Sequence, residues 1–340
     1  MNKRINYIDA VKGLAILCIA LLHFEAGVLP NEVNVWIGLF MITAFFFTSG
    51  WLQGIKGDSL SVKELARKRI RQLGIPYFWF TLIILVFDII WFLLGQIELK
   101  IIFRDIYKSI VLHGIGTLWF LPVLFFAECL FCLVRNSKRP VTYSLLLLVC
   151  SIFLIHLYDT YWIPLRTDDI HRIIDAPLCP IVWTLRAWPV IAAGFLLAKC
   201  FSRYMESTNL WTFIGGLAML TISIILVIYP FPIDIVNVYL INLLSAFSIM
   251  CLFSNISQLH TTKFFTYWGK NSLVLMCTHF SITLEIMKFI DRALLHHPQF
   301  EGMRTLAYFV AAIIVTYPMV WLFNNKLSFM LGKRNQTTFS

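Results

Sequence analysis

Seven ionisable residues stand inside long apolar stretches of this chain: Lys12, His23, Asp88, Glu128, Arg186, His279 and Glu285. A charged group in hydrocarbon costs a few kcal/mol even on the milder insertion scales. Such residues therefore face a protein interior or a watery cavity, and usually mark function. Lys12 and His23 belong to one stretch and lie eleven residues apart. On an α-helix that spacing turns about 20° past three full turns and rises about 16 Å. Both side chains then point the same way, the ammonium near a membrane surface and the imidazole deep inside. The pair suits a long ligand with an anionic head and a reactive tail, which is the shape of a coenzyme A thioester. It equally suits a snorkelling lysine with a hydrogen-bonded core histidine, and the spacing alone leaves both open.

His279 and Glu128 each fall about a dozen residues into their own stretch, near the depth expected for His23. Three ionisable groups at one level are able to enclose a common cavity, although depth says nothing of lateral neighbours. The plainer readings are a helix-to-helix hydrogen bond for His279 and a protonated or locally bonded carboxyl for Glu128. The run Arg67-Lys68-Arg69-Ile70-Arg71 is either an ordinary basic cluster at a membrane edge or a phosphate clamp. Arg186, near the end of its stretch, either snorkels outward or binds an anionic acceptor. Asp88 and Glu285 receive no role. Cys129 and Cys132 form a C-x-x-C spacing, but no second pair or histidine cluster completes a metal site, so none is expected.

The elements that must carry these residues follow from composition. Of the 340 residues, 59% are hydrophobic and 14% charged, against roughly 45–50% and about 25% in soluble domains. A helix needs about 20 apolar residues to cross a bilayer. Candidate spans are 10–29, 34–54, 75–95, 116–134, 141–158, 181–199, 210–229, 236–254, 267–287 and 305–324. The semi-polar stretch 96–115 has room for a short re-entrant piece, and 159–180 reads as the longest outer connector. The expected fold class is all-α, a polytopic membrane helix bundle forming one domain over 1–340, with no soluble extra domain. Alternating the connectors puts the larger share of Lys and Arg on the side of the N-terminus, so both termini are expected in the cytoplasm of a plasma (inner) membrane protein. The first stretch is too long for the apolar region of a signal peptide and reads as a retained span. The net charge of +10 sits in short connectors, which leaves no basic polar surface for nucleic acid.

Five segments, in order, resemble the acyltransferase-3 family of bacterial membrane O-acyltransferases. The first runs from Tyr7 to His23, with Asp9, Lys12, Gly13 and His23 at the family's acidic, basic, glycine and histidine positions. The second is the aromatic run Phe45-Phe46-Phe47 ending in Ser49-Gly50-Trp51. The basic run up to Arg71 with Pro76-Tyr77 follows, then Leu118-Trp119-Phe120-Leu121-Pro122, then Asn271-Ser272-Leu273 leading to His279. The family often has Arg where Lys12 stands, and some members carry a further extracytoplasmic esterase-like domain. The wording around Arg71 and Pro76 is most similar to the sugar O-acetyltransferase branch.

The resemblance implies transfer of an acyl group, most often acetyl, from cytoplasmic acyl-coenzyme A to a hydroxyl of a cell-surface polysaccharide or lipid-linked sugar, completed within the membrane domain. Acetyl-coenzyme A would be the donor substrate and no cofactor would be permanently bound. Lys12, Arg67, Arg69 and Arg71 would hold its phosphates. His23 would act as general base or carry the acyl group, with His279 or Glu128 orienting it or supplying a second base. Trp119 and Arg186 would bind the acceptor. The rival from another class is a transporter or flippase of glycans or lipid-linked sugars, in which the same buried charges would line a path without acyl chemistry. A scaffold without chemistry leaves Lys12, His23 and His279 unexplained.

Overall fold

A computed structural model describes residues 5–24, 29–57, 60–206, 208–294 and 301–333. Among the described residues fourteen α-helices follow one another: α1 (Asn6–Phe24), α2 (Asn31–Lys56), α3 (Val62–Arg69), α4 (Ile75–Leu93), α5 (Leu99–Ile110), α6 (Phe120–Arg135), α7 (Pro140–Leu157), α8 (Asp169–Phe201), α9 (Leu210–Ile228), α10 (Asp234–Ile256), α11 (His260–Lys270), α12 (Ser272–Thr278), α13 (Glu285–Leu294) and α14 (Glu301–Asn325). No strand occurs among the described residues. Among the described residues ten helical runs are long and apolar enough to cross a bilayer, and each overlaps one of the ten expected spans. Large apolar side chains such as Leu145, Val149, Leu196 and Ile314 point outward, which is costly in water and favourable in lipid.

Three boundaries differ from the sequence reading, each for a local reason. The third span begins at Val62 rather than 75, because α3 passes into α4 through a π-turn, Ile70–Gly74. There the Ile75 N–H donates to the Ile70 carbonyl, five residues back, and Pro76 follows without an N–H to donate. A capping box, Ser61 with Glu64, starts this helix, so the basic run lies on a helix and not in a loop. The stretch 159–180 is mostly helical too, since α8 begins at Asp169 and runs through Pro177, Pro180 and Pro189. Transmembrane helices tolerate such prolines where neighbours satisfy the freed carbonyls. The ninth span breaks at Asn271, whose amide donates to Tyr267 O at 2.8 Å, and resumes as Ser272–Phe289. The stretch 96–115 holds the 12-residue amphipathic α5, at about 18 Å too short to cross.

The helices gather into two compact units, Met1–Gly57 with Val190–Val320 and Asp58–Pro189 with Trp321–Ser340. The first is organised by backbone contact through glycine. A Cβ on Gly13 would lie 1.8 Å from Phe265 O, and one on Gly269 would lie 1.7 Å from Asp9 O. Helices α1 and α11 therefore cross with no room for a methyl group on either side, the small-residue contact favoured between membrane helices. Gly50 of α2 meets Ile191 O of α8 in the same way, and Gly194 of α8 meets Phe47 O in return. Trp51, fully buried, donates its indole N–H to Tyr7 Oη at 3.2 Å and ties α2 to α1. In the second unit Trp188 donates to Ser151 Oγ at 3.0 Å, and Tyr77 donates to the Ser109 carbonyl at 2.9 Å.

Gly269→Ala is expected to abolish the folded state in mild detergent or lower its melting midpoint sharply, because the colliding atoms are backbone and cannot move aside. Gly215→Ala, on α9 with open space around its Cα, is the control. It is expected to leave the midpoint unchanged or raise it by the helix propensity of Ala, up to about 1 kcal/mol. Fluorescence-detected thermal melts read both.

Candidate functional site

In the first unit the histidines of α1 and of the α12 region meet. His279 Nε2 lies 3.0 Å from His23 Nδ1, with the ring centroids 5.0 Å apart. His23 sits at the last turn of α1, partly buried, while His279 is wholly buried. His279 opens a π-turn, His279–Leu284, between α12 and α13, and such turns recur where a helix must aim a side chain for function. Phe280, next in the turn, packs its ring 4.8 Å from that of His23.

The partners assign the tautomers. His279 Nδ1 is 2.7 Å from the Leu275 carbonyl, four residues back, and His23 Nδ1 is 2.8 Å from the Ile19 carbonyl. A carbonyl oxygen only accepts, so each Nδ1 carries the proton. In the neutral pair His279 Nε2 is then a lone pair, and the His23 Nδ1–H is shared between it and Ile19 O. That leaves His23 Nε2 as the unprotonated nitrogen. The arrangement holds one imidazole in a single tautomer with a basic nitrogen to offer.

Lys12 is half-buried on α1, one residue before the glycine at which α11 crosses. The conserved spacing of an α-helix sets it three turns from His23. Gly13 and Gly50 matter here as packing residues. They let α1, α2, α8 and α11 approach closely enough to fix the two residues of α1.

In the second unit the structure pairs two of the other expected site residues with each other. Arg69 grips Glu128 with both Nε and Nη2, the latter at 2.6 Å from Oε1, and Glu128 is wholly buried. The guanidinium also donates to Gln72 Oε1 at 2.8 Å. Arg71 donates its Nε–H to the Gly332 carbonyl at 2.9 Å, while the Arg67 side chain is exposed. Trp119 packs against Trp183, centroids 4.8 Å apart, and Arg186 holds both oxygens of Asp159 at 2.5 and 2.7 Å. Glu285 accepts from Lys288 at 2.9 Å. No cluster of His, Cys, Asp or Glu able to hold a metal occurs among the described residues.

Sequence reading places Asp175, with Asp159, in the connector 159–180, long enough to shape a site, and gives it no individual role. Its side chain is 3% exposed and accepts from Tyr158 Oη at 2.7 Å, Trp162 Nε1 at 2.9 Å, Arg166 Nη1 at 2.8 Å and Cys179 Sγ at 3.1 Å. These bonds pin the π-turn Tyr158–Trp162, on which Asp159 sits, against α8. Asp175 reads as a connector residue because the span is expected from 181, whereas α8 already begins at Asp169. The i,i+4 spacing to Cys179 was the available signal.

Removing one member of the Arg69–Glu128 pair leaves an uncompensated buried charge, which costs about 3–5 kcal/mol. Glu128→Ala and Arg69→Ala are each expected to destabilise the protein on that scale. The double variant Arg69→Met with Glu128→Leu is expected to recover most of the loss. A double-mutant cycle on melting in detergent measures the coupling.

Comparison with known proteins adds one match. The family model described as an acyltransferase domain covers residues 5–324, which spans both compact units. No curated protein and no solved structure matches the chain. With nearly the whole length matched, and the histidine pair formed by the first and last of its family-like segments, this multi-pass helical membrane protein belongs to the acyltransferase-3 family.

Proposed function

We propose that the protein transfers an acyl group, most often acetyl, from acyl-coenzyme A to a hydroxyl of a cell-surface polysaccharide or lipid-linked sugar, with His23 as general base. The observation that carries this reading is the hydrogen bond between His279 Nε2 and His23 Nδ1, together with the carbonyl of Ile19. Together they hold His23 in the tautomer whose Nε2 is free of a proton. The acceptor O–H donates to that nitrogen as its oxygen attacks the thioester carbonyl. The C–O bond forms, the C–S bond breaks, and the proton on His23 passes to the departing thiolate. An imidazole suits both halves, because it gains and loses a proton near neutral pH. His279 acts as a positioning residue: it touches His23 and is wholly buried.

The resemblance assigns the donor phosphates to Lys12, Arg67, Arg69 and Arg71. Arg69 already serves Glu128, so Arg67 and Arg71 are the cations of that run with guanidinium donors to spare. Lys12 contributes a point charge and not a bidentate fork, which suits a flexible diphosphate. Glu128 enters this reading through Arg69, whose guanidinium it orients.

The test is transfer of label from radiolabelled acetyl-coenzyme A into the glycan fraction of membranes. General-base assistance is worth about 10²–10⁴-fold, so His23→Ala should lose activity on that scale while remaining inserted. His279→Leu should lower kcat, since the His23 ring keeps the Ile19 carbonyl on Nδ1 but loses the partner that fixes its orientation. Labelling by His23→Ala equal to wild type would remove the base. Translocation of a lipid-linked sugar without consumption of acetyl-coenzyme A would favour a transporter instead.

A further inference from the structure

The second unit contains a cluster of aromatic and charged side chains to which Trp119 and Arg186, the residues expected to bind the acceptor, both belong. Trp183 of α8 is its centre. Trp119 lies 4.8 Å from it by centroid and His113 lies 5.2 Å from it, with interplanar angles of 51° and 59°. All three rings are partly exposed. One helical turn further along α8, on the same face, Arg186 holds Asp159, and both side chains of that pair are 42% exposed.

The backbone around His113 is unusual. Leu112 has φ 60 and Gly114 has φ 78, so a non-glycine residue sits in the left-handed region directly before the histidine. Backbone strain of this kind persists where the surroundings over-determine it, and it gathers at ligand sites. His113 Nδ1–H donates to the Gly114 carbonyl at 3.2 Å, leaving Nε2 as an acceptor. Burial holds its pKa below the ordinary histidine value, so the ring is a neutral aromatic plate at physiological pH. The cluster is also held stiffly. Asp175, with its four donors, anchors the turn that carries Asp159.

We infer that Trp183, Trp119 and His113, with the Arg186–Asp159 pair, form a binding platform for a pyranose ring of a glycan. This deepens the acceptor side of the proposed function and rests on its sugar reading. A pyranose presents a C–H face to an aromatic ring and a belt of hydroxyls that each donate and accept. The cluster offers matching parts: indole faces, a neutral imidazole nitrogen and a carboxylate as acceptors, and a guanidinium as donor. Partial exposure of every member leaves them reachable. Trp183 contacts both Trp119 and His113, and the Arg186–Asp159 pair follows one turn along α8.

The probe is a set of oligosaccharides released by mild acid from the expressing host's surface polysaccharide and fluorescently tagged at the reducing end. Binding is measured to the full chain in nanodiscs. Loss of one aromatic wall should weaken binding about tenfold in Trp183→Ala and in Trp119→Ala. Trp183→Phe should recover most of it, and Trp211→Ala, on α9 with its ring 81% exposed, should bind as wild type. A second measurement needs no variant. In wild-type protein, bound oligosaccharide should slow oxidation of Trp183 and Trp119 by N-bromosuccinimide, read by peptide mass spectrometry, while Trp211 reacts at an unchanged rate. Equal oxidation with and without oligosaccharide, or no binding by wild type, overturns the platform. Binding that depends on Trp183 but is accompanied by no acetyl transfer retires the acyltransfer reading and leaves the platform standing. Transfer by wild type with no protection at Trp183 retires the platform alone.

Discussion

In hydrocarbon a polar group must find its partner within the protein, because no water will supply one. That requirement organises this chain at every level. It makes the backbone helical, and it favours polar side chains inside the helices that bond to a carbonyl one turn back or to a partner on another helix. His23 does so with Ile19 and His279 with Leu275, and the two rings then bond to each other. The same demand that satisfies the rings selects their tautomers. Burial and catalytic preparation are thus one arrangement, since a carbonyl that merely accepts dictates which nitrogen is left basic.

Close approach of helices is the second requirement, and glycine meets it. Gly13 against Phe265 and Gly269 against Asp9 bring backbones to a distance at which a methyl group would overlap a carbonyl oxygen. Without an apolar driving force between helices in lipid, packing of this kind carries much of the association. Gly50 and Gly194 repeat it between α2 and α8. The glycine of the first family-like segment and that of the Ser-Gly-Trp segment are thereby explained as packing residues, and Trp51 as the group that bonds Tyr7.

The sites were legible to different degrees, for reasons visible in particular residues. Lys12 and His23 could be read as a pair because a single helix relates them, and helical geometry converts sequence distance into direction and depth. His279 was legible in depth but not in contact, since lateral neighbours depend on how helices pack. Glu128 and Arg69 stood as separate functional candidates, and the structure pairs them with each other. Asp175 read as a connector residue because the span was placed from 181, whereas α8 begins at Asp169 and carries Pro177, Pro180 and Pro189 in its interior. Asp159 was visible only as one acidic residue of the connector 159–180, and Trp183 carried no signal, as an aromatic near a span end is ordinary until another ring and an ion pair are found near it.

By itself the sequence determined the class of solvent, the ten crossings and the resemblance that names the family. These depend on composition over about 20 residues at a time and on short motifs, which no tertiary contact has to complete. Tertiary structure alone decided the hydrogen bond between two histidines 256 positions apart, the partner of each buried charge and the union of Trp119 with Trp183. The physical reason is that a helix fixes direction along its own axis, while the identity of its neighbours is settled by complementary surfaces. Here those surfaces are a glycine without a side chain facing a carbonyl on another helix, and no local pattern encodes that match.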